Sequence, residues 1–103
     1  MIKKDSLNFR LFLRKMSKKG FFQVLNHIKE KGDVHYNDVR KYSLDKKIVD
    51  SRASVTIILN GLTDLGLLER IVSQSRPMRT IYRISKKGNL ILRQLTELEK
   101  IIE

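Results

Sequence analysis

A mainly α-helical fold carrying one small β-hairpin is what this sequence predicts, and three observations lead there. Apolar residues recur at helical spacing along most of the chain. Two short runs rich in β-branched and aliphatic residues flank the single proline. Cysteine is absent, so packing rather than a disulfide framework has to hold the fold. At 103 residues, 41% of them apolar, the chain suffices for one cored domain and is too short for two.

The elements follow in order. Ser6 to Lys15 is apolar and basic, and Leu7, Leu11, Phe12 and Leu13 allow a helix of a few turns over residues 6–15. Ser17 reads as the N-cap of a second helix, in which Phe21, Val24, Leu25 and Ile28 form one buried stripe and Gly32 is the stop. Val34-His35-Tyr36 reads as an extended link, and Asn37 as the cap of a short helix to about Tyr42, with Val39 and Tyr42 inward. Leu44 to Asp50 is a polar connection. A further helix from about Ser51 buries Val55, Ile58, Leu59, Leu62 and Leu65 and ends at Gly66. Leu67–Ser73 and Thr80–Ser85 then form a hairpin whose long tip holds Pro77, where no ladder hydrogen bond is lost. Ser85 caps a last helix, Lys86 to about Ile102.

Three helices followed by a hairpin is the winged helix-turn-helix layout, here a single domain over 1–103. Its core covers 17–85, with the wing at about 67–85 and a terminal helix at 86–102. Leu59-Asn60-Gly61-Leu62-Thr63-Asp64-Leu65-Gly66-Leu67-Leu68 resembles the third-helix-to-wing junction of winged helix regulators, whose Leu-x-x-Leu-x-x-x-Gly-Leu-aliphatic string it contains in full. Tyr82-Arg83-Ile84-Ser85-Lys86-Lys87-Gly88 resembles their exit from the second wing strand, and Ser17 to Leu25 the opening of their first core helix. The resemblance covers residues 15–102 and is nearest to prokaryotic, especially archaeal, regulators of the MarR-like and PadR-like kind. It implies double-stranded DNA as the partner and transcription regulation as the function. One departure is the length of the Leu44–Asp50 connection, where about three or four residues are usual.

Charge agrees with that implication. Twenty-two Lys and Arg against eleven Asp and Glu leave +11, a field that attracts polyanions without choosing among them. In the fold expected, the helix from Ser51 enters the major groove, and helical spacing puts Ala53, Thr56, Ile57, Asn60 and Asp64 on its outward face. Asn60 suits adenine, Thr56 a base edge or phosphate, and Ala53 and Ile57 a thymine methyl. Ser51 and Ser54 lie at the positive helix end, with Arg52 beside them. The outward face lacks Lys and Arg, so reading is AT-leaning or by DNA shape. Packing of Ile57 on the wing or a partner, and simple solvation of Asn60, fit the pattern as well.

Gly66 to Gly88 holds six basic residues (Arg70, Arg76, Arg79, Arg83, Lys86, Lys87) against Glu69. Arg76 and Arg79 bracket Pro77, placed for a minor groove or for phosphates. Lys18, Lys19, Lys46 and Lys47 fit phosphate contacts or plain solvation. In the last helix Ile91, Leu95, Leu98 and Ile102 form a 4-3-4 seam that predicts a homodimer, with Leu7, Leu11 and Phe12 of the first segment packed against it; the alternative is that the first segment alone covers this helix within one subunit. No catalytic constellation, phosphate loop, cofactor motif or metal-ligand spacing stands out around His27 or His35. No apolar run spans a bilayer and no signal-peptide pattern is visible, so the expectation is a cytoplasmic protein without membrane association. The leading reading is a dimeric repressor with sequence preference. The alternatives are a non-specific architectural DNA-binding protein and a winged helix used as a protein-interaction module.

Overall fold

The helices form where the apolar stripes lie, and their buried faces meet in one core. The computed structural model describes the backbone of residues 2–74 and 76–103 and the side chains of 9–74 and 76–103. The order is α1 (Ile2–Met16), α2 (Phe21–Lys31), β1 (Val34–His35), α3 (Tyr36–Asp45), α4 (Arg52–Asp64), β2 (Leu68–Val72), β3 (Thr80–Ile84) and α5 (Lys86–Ile102). Phe21, Val24, Leu25 and Ile28 of α2 pack with Val39 of α3, Val55, Ile58, Leu59 and Leu62 of α4, and Tyr82 and Leu92 from the wing and α5. Each such fully buried aliphatic side chain contributes about 1.5–3 kcal/mol.

The hairpin pairs Leu68 with Ile84 through Val72 with Thr80. Of the stretch read as a plain extended link, Val34 and His35 form a third strand and Tyr36 opens α3. Val34 pairs with Tyr82 and His35 with Ile81, giving an antiparallel sheet of order β1-β3-β2. Two residues carry no period of their own, and only their long-range partner makes them a strand.

The end of α4 explains the Leu-Gly-Leu string. Gly66 adopts φ +80°, while its N–H donates to the Thr63 carbonyl and that of Leu67 to the Leu62 carbonyl. This is a Schellman motif, sealed by the contact class it favours, since Leu62 and Leu67 are both fully buried. Helix α3 ends in the same way, but with Lys47 at φ 56° where glycine is usual. Lys47 N–H donates to the Leu44 carbonyl and Ile48 N–H to the Ser43 carbonyl. Helix α3 therefore runs to Asp45 rather than Tyr42, which shortens the connection, and that segment is less polar than expected because Val49 is buried and Leu44 and Ile48 pack on the core.

Two other expectations change. Ser17 does not cap α2: its hydroxyl donates to the Arg14 carbonyl at the end of α1, and Gly20 precedes Phe21 as the N-cap. Helix α3 is capped by His35 rather than Asn37, in a reciprocal box whose Asp38 carboxylate accepts from the His35 N–H. Tyr42 does face inward, stacked on His27 of α2 with ring centroids 3.6 Å apart and planes 9° from parallel. Burial, helped by the Lys31 charge, holds the His27 imidazole below its ordinary value of 6.5. The unfolded chain therefore takes up this proton first, and the contribution is complete above pH 6.5 and lost as pH falls below it. The melting temperature is expected to drop on acidification through that window. His27→Gln should flatten that part of the profile, and an unchanged profile would show that His27 is not the group responsible.

Candidate nucleic-acid interface

Helix α4 buries Val55, Ile58, Leu59, Gly61 and Leu62 and leaves Ala53, Thr56, Ile57, Asn60 and Asp64 exposed. Ile57 is 59% exposed, so it is not used as core. At the helix start the Ser51 hydroxyl accepts from the Ser54 N–H at 3.3 Å and meets the Ser54 hydroxyl at 3.2 Å, serving as the N-cap. Arg52 is exposed beside them.

A residue that spacing did not single out joins this face. The Tyr36 hydroxyl lies 3.0 Å from Thr56 Oγ1 and donates to the Arg52 carbonyl at 3.4 Å. Tyr36 opens α3, twenty positions earlier, and nothing in the local sequence connects the two. On its other side Tyr36, with His35, Asn37 and Asp38, faces Pro77, Met78, Arg79 and Thr80 across a groove of about 550 Å³. The exposed face of α4 and the wing tip therefore flank the same end of α3.

In the wing, the Ser73 N–H donates to the Arg79 carbonyl at 2.8 Å and closes the base of the tip, leaving Arg76 and Arg79 exposed. Arg70 is exposed on β2. Arg83 is engaged otherwise: its guanidinium donates to the Asp33 carboxylate at 2.8 Å, and Glu69 lies opposite it in the ladder. The pair is half exposed and so contributes little stability, yet it offsets the charge of Arg83. Lys18 and Lys19 are exposed in the turn between α1 and α2, and Lys46 and Lys47 beyond α3.

Helices α5 and α1 leave an apolar surface. Ile91 and Leu95 are half-buried, whereas Leu98 is 50% and Ile102 74% exposed. Leu11, Phe12, Leu13 and Phe9 of α1 line one groove of about 650 Å³ with Ile91, Leu95 and Leu98. The two helices thus border a groove, and α1 docks on the core through Phe12 and Met16. The side chain of Leu7 lies outside the described residues. Among the described residues no group of three or more His, Cys, Asp or Glu is placed to hold a metal ion. Among the described residues no helix is long and apolar enough to cross a membrane.

Among the described residues, five helices and a three-stranded sheet, with the hairpin following the third core helix, make a winged helix-turn-helix fold, similar to that of solved PadR and MarR family regulators. The reduced form of the transcriptional regulator YodB from Bacillus subtilis superposes with a TM-score of 0.70 at 16% identity, over 85% of this chain and 81% of that one. Bacillus subtilis PadR in complex with operator DNA gives 0.62 at 17% identity, over 74% of this chain and 45% of that one. No family model matches the chain. It is 31% identical over 90 residues to the uncharacterized protein MJ0944 of Methanocaldococcus jannaschii, covering 85% of this chain and 70% of that protein, and it belongs to the same family.

Proposed function

We propose that this protein is a transcription regulator that binds double-stranded DNA as a homodimer and acts as a repressor, with α4 in the major groove and the arginine-bearing wing on the backbone or in the minor groove. The observation that carries this reading is the position of Tyr36, which touches Thr56 of α4 on one side and borders the wing tip on the other. One duplex can then meet both elements, and the net charge of +11 favours its approach. The likeness to an operator-bound regulator supports the same arrangement. Asn60, Ile57, Ala53 and Thr56 form the base-reading set, Arg70, Arg76 and Arg79 the wing contacts, and Ser51, Arg52 and Ser54 flank the helix start. Arg83, Lys18, Lys19, Lys46 and Lys47 are secondary phosphate contacts.

Fluorescence titration against promoter and random duplexes, repeated across salt, tests the reading. A specificity ratio of about 10³ or more is expected. Absence of duplex binding at low salt would end it. The missing cations on the outer face of α4 favour one second reading, an architectural protein that coats DNA, and a steep salt slope without sequence preference would establish that instead.

Homodimerisation runs through the exposed Leu98 and Ile102 with Ile91, Leu95 and Leu11. A second helix laid along α5 would cover side chains that this fold leaves in water. Leu98→Glu with Ile102→Glu is expected to halve the mass measured by light scattering without loss of helix content. A variant that keeps the parent mass would move the interface elsewhere.

A further inference from the structure

We infer that Met78 is an apolar wedge that enters a base step of the bound duplex, between the two arginines of the wing tip. The inference rests on the DNA-binding reading above. Met78 is 71% exposed, more than any other large apolar side chain outside α1 and α5 among the described residues. It borders the groove facing His35 to Asp38 but remains mostly in water, so it adds little to the fold. Its neighbours set its direction of use. Pro77 precedes it, and the exposed Arg76 and Arg79 stand on either side.

The strands make that tip a probe. β2 and β3 have five residues each, so the tip stands about 17 Å from the strand bases. That reach takes it from a helix in one groove to the neighbouring groove. Arginines suit the narrow, negative minor groove of A·T-rich DNA. An unbranched apolar side chain held between them is the kind of group that partly unstacks a base step and kinks the duplex. Met is slender and flexible enough to enter such a step, and pyrimidine–purine steps such as TA yield most readily. Selection for a deformable step would supply sequence preference that the weakly charged face of α4 does not.

The test uses the full chain and an A·T-rich duplex of about 30 base pairs, with 2-aminopurine replacing adenine at successive TA steps and a donor–acceptor pair on its ends. Binding of the parent protein is expected to raise 2-aminopurine emission at one step and to shorten the end-to-end distance. Met78→Ala should abolish both signals and weaken binding roughly tenfold, while Met78→Leu retains them. The side chain is exposed, so circular dichroism of both variants should match the parent. If the parent binds and Met78→Ala gives the same emission, bend and affinity, the wedge is wrong and the DNA-binding reading stands. If the parent binds no duplex at low salt, both fall together.

Discussion

Gly88→Ala is expected to lower the melting temperature by about 10 °C, which corresponds to about 2 kcal/mol in a domain of this size. A Cβ at residue 88 would sit on the Leu67 carbonyl oxygen and 2.7 Å from Ile84 Cγ1. The Ile84 side chain can yield, but the carbonyl cannot. It already accepts the Ser85 N–H at 2.9 Å, and Leu67 is fully buried. The Ser85 hydroxyl accepts from the Gly88 N–H and donates to the Gly66 carbonyl at 2.6 Å, so the first turn of α5 is tied to the junction between α4 and β2. Alanine would add about 0.5–1 kcal/mol of helix propensity, which the displacement of a bonded backbone outweighs. Arg93→Ala, exposed on the same helix, should stay within about 0.5 kcal/mol of the parent. Thermal melts of the three proteins decide the matter. Equal melting for Gly88→Ala would mean that α5 does not seat so closely on Leu67 at the junction between α4 and β2, and the proposed dimer helix would then lack its anchor.

The same junction shows what local sequence signals can carry. The capping roles of Ser85 and Gly66 act within one turn of their positions, and the bounds of α5 and the hairpin follow from them closely. The fold was legible for that reason. The candidate site was less so, because its geometry depends on pairs far apart in the chain. Thr56 could be placed on the outer face of α4 by period alone, but its contact with Tyr36 crosses 20 positions. Arg83 looked like any wing cation until Asp33, 50 positions earlier, closed on it. The end of α3 was hidden for a different reason. A lysine fills the left-handed position where glycine would have announced the turn, so the helix read as ending three residues early. Ser17 erred in the opposite sense, offering a capping hydroxyl that serves the preceding helix instead.

Arg76→Ala combined with Arg79→Ala is expected to weaken duplex binding on the order of tenfold at physiological salt and to reduce the slope of log affinity against log salt by about 2. The reasoning is one of counting. Each guanidinium that neutralises a phosphate releases close to one counterion, and both arginines are exposed on a tip closed by the Ser73–Arg79 bond. Backbone contacts carry no base information, so the loss should be the same on promoter and random DNA. Asn60→Ala supplies the contrast. A side chain that pairs with adenine discriminates by about 1–3 kcal/mol, so its removal should change preference between sequences while leaving the salt slope intact. The two substitutions therefore separate the two halves of the interface. A double arginine variant with an unchanged slope would take the wing off the DNA, and with it the support for Met78. An Asn60→Ala variant with unchanged preference would leave the wing as the reader and α4 as a support, which the absence of cations on the outer face of that helix makes physically reasonable.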